Sequence, residues 1–388
     1  MGAIWQFFIL TNLVTFSANT SWYLYNFRRN TINSLLSHGY KVVCISPDDG
    51  YSDKLIDLGC IWKEIKVDNS GSNPFRDVQL LISFLKIYRE FQPIAAFHFT
   101  IKNNIYGTIA ASIFKIKSIN NISGLGTTFI HKGLKSNIAK FLYRLTLPFS
   151  SLVHVQNEDD EKILKKTIPS ISNKIFLIPG SGVDTNRFNS NLRKSNSIPS
   201  EPFRFLYAGR FIEDKGLNEI IEAVTAINAY EIRCEFWLVG PQDNKNISSI
   251  SPSKIDLWRK IPGLKIFEPT DQIELILAEV DCFVLPSYRE GMPKSILEAC
   301  SMSLPVVCTD VAGCRSIITD DENGYLCEVK NSNSLKDALE KVLQSSPEKL
   351  QSLGSNGRKK VNKFFNEKII INGVLTIIKN IESNHAKK

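Results

Sequence analysis

Two carboxylates, Glu290 and Glu298, lie eight positions apart with Gly291-Met292-Pro293-Lys294-Ser295 between them. Acids so placed can act as a general acid and base. Alternatively, each can accept hydrogen bonds from vicinal hydroxyls, as on a sugar or a ribose, and the two could hold different rings of one elongated ligand. The bland alternative is a surface-loop acid followed by an acid favoured near a helix start by the dipole. Upstream, Tyr207-Ala208-Gly209-Arg210-Phe211-Ile212-Glu213-Asp214-Lys215-Gly216-Leu217 puts two cations just before a helix-like segment, Asn218–Thr225. Cations beside a helix N-terminus suit a diphosphate, because fixed N–H dipoles and mobile charges act together. The missing Cβ of Gly209 would let a ligand approach the backbone. A solvated loop is the alternative.

These groups need strands that end in one place. Short apolar runs alternate with helical patterns throughout the 388 residues. Strands are expected at 41–46, 94–99, 119–122, 152–156 and 174–178, and again at 203–208, 234–239, 264–267, 282–285, 305–309 and 324–328. Helices are expected at 23–37, 78–91, 106–114 and 134–147. Strands alternating with helices imply right-handed βαβ units and mostly parallel sheets. Open α/β sheets bind ligands at the carboxyl ends of their strands. Pro293 suits the first position of the helix that carries Glu298, and the amides of Lys294 and Ser295 would face the ligand crevice. The Gly/Ser/Asn/Pro-rich stretch 181–202 reads as a linker. It separates a domain over 1–180 from one over 203–365, with a helix and tail over 366–388 expected to cross back to the first.

Composition narrows the partners. The net charge is +8, and all of it falls within residues 1–180, which hold 20 Lys/Arg against 12 Asp/Glu. Between Glu90 and Glu158 there are seven basic residues and no acid, a field that favours an anionic partner. No recognised nucleic-acid module is present, so nucleic acid is not expected. Eight cysteines in apolar contexts, without a Cys-x-x-Cys pair, read as reduced buried thiols. The apolar start, Ile4 to Leu10, is too short to span a membrane and is expected to be a buried first strand. Leu134, Ile138, Phe141, Leu142, Leu145 and Phe149 form a stripe flanked by Lys135, Lys140 and Arg144. Over 134–149 this reads either as a membrane-surface helix or as a helix packed on its own sheet with a basic outer face.

Glu290-x7-Glu298, with Glu-Gly-Met-Pro, Leu-Glu-Ala and the following Pro-Val-Val-Cys-Thr-Asp-Val-Ala-Gly-Cys-Arg, resembles the retaining family 4 glycosyltransferases. Gly209-Arg210-x4-Lys215-Gly216 matches the same family at the expected distance. Asn19-Thr20-Ser21-Trp22, Tyr25-Asn26-Phe27-Arg28, Thr100–Gly107 and Ser123-Gly124-Leu125-Gly126 extend the likeness to a bacterial subgroup that builds O-antigens, capsules and related lipid-linked glycans.

The resemblance implies a GT-B fold, two Rossmann-like domains facing each other across a cleft. It implies transfer of a hexose or N-acetylhexosamine, galactose or N-acetylgalactosamine by preference, from a UDP-sugar to a polyprenyl-diphosphate-linked saccharide. Arg210 and Lys215 would hold the donor diphosphate and stabilise the leaving nucleotide. Glu298 would bind the ribose and Glu290 the donor sugar near its 3- and 4-hydroxyls. The backbone of Gly291, Met292, Pro293 and Lys294 would cradle sugar and phosphate, and the loop of Glu268 and Pro269 would sit by the base. Retention would proceed by front-face attack within an ion pair, with no covalent nucleophile, metal or cofactor. Such an enzyme would be cytoplasmic, peripheral at the inner face of the inner membrane.

The chain departs from the family in two places. Thr11 to Ser21 contains no glycine, where many relatives have a Gly-Gly loop; Asn19 and Ser21 read as helix caps whose backbone faces the cleft. The usual histidine after the strand at 119–122 is replaced by Ser123-Gly124-Leu125-Gly126, whose amides, or His98 at a strand end, would take its place at the sugar. His131 is a further candidate of the same kind, and for both histidines the alternative is a satisfied structural residue. Gly124–Phe129 lacks the third glycine and the following acid of a dinucleotide fingerprint, so NAD is not expected. Two rivals share this architecture, a sugar-nucleotide epimerase and a non-catalytic nucleotide-sugar-binding protein. The Glu-x7-Glu pattern disfavours the epimerase, and the presence of all four charged residues disfavours the binding protein.

Overall fold

The computed structural model describes residues 12–68, 73–125, 134–193, 199–242 and 248–386. The strand expected at 4–10, Gly126 to Phe129 and His131 lie outside the described residues. The chain divides into two units: one runs to Ser181 and resumes at Ile369, and the other is Gly182–Lys368.

The first unit contains β1 (Leu13–Ser17), β2 (Lys41–Ser46), β3 (Ile61–Glu64), β4 (Ala95–Phe99), β5 (Lys117–Ile122), β6 (Leu152–Val155) and β7 (Ile175–Leu177). They form one sheet in the order β3-β2-β1-β4-β5-β6-β7, and every pairing is parallel. The second unit contains β8 (Phe203–Ala208), β9 (Cys234–Val239), β10 (Leu264–Phe267), β11 (Cys282–Leu285), β12 (Val306–Thr309) and β13 (Gly324–Cys327), in the order β10-β9-β8-β11-β12-β13. Again all pairings are parallel. In each sheet the strand order reverses once, between β1 and β4 and between β8 and β11. Such switch points open a crevice at the carboxyl edge, because the flanking connections leave to opposite faces.

Parallel strands covered on both faces read as continuous apolar runs, as FVL in β11 and VVCT in β12 do. Two strands gave no such signal. β1, read from sequence as part of a loop, is LVTFS and fully buried. Thr15 and Ser17 disguised it, and Ser17 is satisfied within the sheet by a 2.8 Å contact from its Oγ to His98 Nδ1. β3 is a four-residue edge strand of mixed polarity, IWKE.

Much of the stretch read as a linker packs on the second unit. Phe188 is buried, its carbonyl accepts from Ser301 Oγ at 2.6 Å, and Val183 N–H donates to Phe365 O at 2.9 Å. The last helix, Glu367–Ala386, leaves the second unit and joins the core of the first through Val374, Leu375, Ile378 and Ile381. Tyr40 clamps it by donating to Glu382 at 3.0 Å. Burying four such aliphatic side chains contributes about 6–12 kcal/mol before ordering costs. Ile378→Ala is therefore expected to cost about 2–5 kcal/mol, read as a lowered thermal midpoint; an unchanged midpoint would detach this helix from the core. All eight cysteines are buried free thiols.

Candidate active site

At the carboxyl end of β8 the chain makes a 3-10 turn, Glu213–Lys215, and enters the helix Leu217–Ile227 through Gly216. Gly216 has φ of +73°, and a Cβ there would stand 2.2 Å from the carbonyl oxygen of Pro286. Only glycine lets this turn sit against the end of β11. Tyr288 ties the two loops further: its N–H donates to Asp214 O at 2.9 Å and its hydroxyl to Glu219 at 2.8 Å. The result is a direct ion pair across the switch point, Lys215 Nζ to Glu290 Oε1 at 2.5 Å. Both side chains are mostly buried, so little water screens the pair. Residues 75 positions apart thus form one charged unit.

Glu290 and Gly291 are seated from below by the helix Ala312–Ile317, whose Gly313 N–H donates to Glu290 O at 3.3 Å. Met292 packs against the core. Pro293 is the N-cap with ψ of 108°, one place before the expected position, and the helix runs Lys294–Ser301 with Ser295 in its first turn. Glu298 lies one turn in from Lys294, whose Nζ is 3.9 Å away.

Arg187, which sequence reasoning did not single out, binds Glu274 through Nε at 3.1 Å and Nη2 at 2.8 Å, and also donates from Nη2 to the carbonyl of Asp271. Burial raises the Glu298 pKa; the charges of Lys294 and Arg187 pull against that, and Glu274 adds to it. Arg187 belongs to the supposed linker, and no local pattern marks a residue whose partners lie more than 80 positions away.

The other expected residues are more dispersed. Arg210 is exposed, and its carbonyl accepts from the Tyr207 hydroxyl at 2.7 Å. The glycine at 209 has an internal explanation, since a Cβ there would stand 2.7 Å from that same hydroxyl. Glu268 and Pro269 follow β10 at the sheet edge, two strands from β8, with Glu268 90% exposed and 3.9 Å from Arg259.

In the first unit, His98 is turned into the core. Strand neighbours alternate faces, so Phe97 and Phe99 point to one core while His98, 0% exposed, packs against Phe84 and Tyr88. Burial holds its pKa down to about 3. It is a neutral core histidine. Asn19 is half-buried, but the cap of the helix Ser21–Ser37 is Thr20, whose Oγ1 accepts from Tyr23 N–H at 3.1 Å. Ser21 instead bonds Ser46 and Pro47 at the end of β2. Gly124 has φ of +107° in the turn after β5.

The apolar stripe of the helix Leu134–Thr146 and its 3-10 extension, Leu147–Phe149, divides. Ile138, Phe141, Leu145 and Phe149 face solvent, Phe141 60% and Phe149 65% exposed, while Tyr143 and Leu147 take the inward face. Leu142 is partly buried against the core. Among the described residues no helix is long and apolar enough to cross a membrane.

Residues 13–157 match the family model described as glycosyl transferase 4-like, and residues 188–360 match glycosyl transferases group 1. One similar protein is the N,N'-diacetylbacillosaminyl-diphospho-undecaprenol alpha-1,3-N-acetylgalactosaminyltransferase of Campylobacter jejuni. It is 28% identical over 83% of this chain and 86% of its own length. Another is the UDP-Gal:alpha-D-GlcNAc-diphosphoundecaprenol alpha-1,3-galactosyltransferase of Escherichia coli, 26% identical over 75% of this chain and 76% of its own. Among solved structures, sucrose-phosphate synthase from Thermosynechococcus elongatus superposes with a TM-score of 0.81 at 17% identity, covering 96% of this chain and 100% of that one. Anabaena HepE with UDP and glucose gives 0.75 at 15% identity, covering 95% and 99%. At these identities the structural likeness speaks for the fold, two Rossmann-like units of the GT-B kind.

Proposed function

Because the chain belongs to the glycosyltransferases, its halves matching the 4-like and group 1 models in turn, we propose that it moves galactose or N-acetylgalactosamine from a UDP-sugar to a polyprenyl-diphosphate-linked saccharide. The product would be an intermediate of a bacterial surface polysaccharide. The relatives that act on undecaprenol-diphosphate saccharides support the acceptor class.

The observation that carries the reading is the Lys215–Glu290 pair at the switch point of the second sheet. Lys215, with Arg210, meets the donor diphosphate and stabilises the charge that grows on the departing UDP. Glu290 holds Lys215 in place and accepts from the sugar hydroxyls; Glu298 accepts from the ribose. Gly291 to Ser295 line the sugar and phosphate, and Glu268-Pro269 lies toward the base.

The anomeric carbon–oxygen bond to the phosphate breaks, and the acceptor hydroxyl oxygen bonds the same face of that carbon. Its proton passes to the leaving phosphate, so configuration is retained without a covalent enzyme intermediate or a metal. The test is a panel of UDP- and GDP-sugars with the full chain in EDTA, read by thermal stabilisation and by the anomer formed on a lipid-diphosphate saccharide. UDP-sugars are expected to stabilise the protein and yield an α-linked product. A β-linked product, or indifference to all donors, would sink the proposal.

The exposed face of Ile138, Phe141, Leu145 and Phe149, with Lys140 and Arg144 beside it, is the surface we assign to an anionic membrane, where such an acceptor resides. Phe141→Ser with Phe149→Ser is expected to lower co-sedimentation with anionic liposomes several-fold, and Lys140→Glu with Arg144→Glu to do the same at low salt. Unaltered sedimentation of both variants would count against the assignment. Lys135 has a side chain outside the described residues.

A further inference from the structure

Arg28, in the helix Ser21–Ser37, is a buried cation that has no counter-ion among the described residues. It is 4% exposed, its Nη2 donates to the Tyr23 hydroxyl at a long 3.4 Å, and its buried Nε has no acceptor. The guanidinium lies 4.3 Å from the ring centre of Phe99 and 6.0 Å from that of Tyr23. Cation–π attraction is weaker than the penalty for burying an ion without an opposite charge. The neighbouring His154 supplies no negative charge: burial first, and then the Arg28 charge, hold its pKa down to about 4. Its Nε2 is a second buried nitrogen without a partner.

The location is informative. Tyr23 and Arg28 belong to the helix after β1, Phe99 ends β4, and Ser123 follows β5, its Oγ 3.4 Å from the Tyr23 hydroxyl. These are the carboxyl ends at the switch point of the first sheet, the position that Lys215 and Glu290 occupy in the second. A planar guanidinium with unused donors at such a crevice matches phosphate oxygens.

We propose that Arg28 receives a phosphate oxygen of the acceptor's diphosphate. Resting on the lipid-linked acceptor proposed above, this assigns the second of the two diphosphates in the reaction, since Arg210 and Lys215 already serve the donor. Arg28 is then a binding residue whose unfavourable burial is compensated when the anion arrives.

The test compares the full-length wild type with Arg28→Met, which keeps the apolar stem over Phe99 and removes the charge. Probes are farnesyl diphosphate, farnesol as the control for the tail, and UDP. Arg28→Met is expected to keep or raise the thermal midpoint and to weaken farnesyl diphosphate binding at least about tenfold. Farnesol and UDP binding should stay within about twofold. Arg28→Lys, which retains charge without the fork, should fall between, and it serves if the methionine variant does not fold. Unchanged farnesyl diphosphate affinity in both variants would overturn the inference, as would an equal loss of UDP affinity. A wild type that binds UDP but not farnesyl diphosphate would refute this assignment alone. One that binds neither would also defeat the proposed reaction.

Discussion

Lys215→Ala is expected to lower kcat/KM by about 10²–10³-fold, mostly in kcat, because the ammonium meets charge that develops only as UDP departs. Glu290→Gln should give a smaller loss of about tenfold or more, since the amide still meets the sugar but no longer fixes Lys215. The two residues share one 2.5 Å contact, so their effects should not multiply. The double variant is expected to be little worse than Lys215→Ala alone, as groups acting as a unit are non-additive. Steady-state kinetics on the four proteins of the cycle check this. Fully multiplicative losses would mean that the pair is a structural ion pair and that each residue acts separately.

Glu298→Gln should raise the donor KM by about 10–100-fold, the range for losing a charged acceptor of ribose hydroxyls, with kcat changed far less. Its effect on stability has the opposite sign. Burial lifts the folded-state pKa of Glu298 above its unfolded value, so its favourable contribution is full at acid pH and is lost as pH rises through the folded pKa. At neutral pH the ionised form is carried at a cost that glutamine does not incur. The variant is therefore expected to have a thermal midpoint equal to or above wild type at pH 7, with the difference shrinking as pH falls. A donor KM unchanged from wild type would remove Glu298 from the ribose. A lower midpoint at pH 7 would show that the attraction of the Lys294 and Arg187 charges outweighs burial. The same direction of shift predicts that donor binding weakens on acidification earlier than for an ordinary carboxylate.

Where a strand carried a mostly apolar run, it was readable: β2, β8, β9 and β11 occupy the expected residues, and so does the edge strand β10. β1 was missed because Thr15 and Ser17 are polar, and their burial is tolerable only in the company of β2 and β4. The motif residues around 209–216 and 290–298 were legible because turn glycines, a helix-starting proline and paired charges are local signals. The environment of His98 stays open between core and cleft in the sequence, for the converse reason. Its position at a strand end is local, but the face it occupies depends on Phe84 and Tyr88 from a distant helix.

Taken alone, then, the sequence determined the family, the alternation of strands and helices and the charged residues available for chemistry, because each is written in neighbouring residues. Only the tertiary structure decided which of those charges meet. Lys215 pairs with Glu290 because β8 and β11 are adjacent at a reversal of strand order, and Arg187 pairs with Glu274 because a stretch read as linker folds back on its own unit. Arg28 gains its meaning in the same way. A basic residue on a helix is ordinary until the fold buries it with no counter-ion among the described residues, where the low dielectric turns an unremarkable charge into an energetic cost that an anion would relieve.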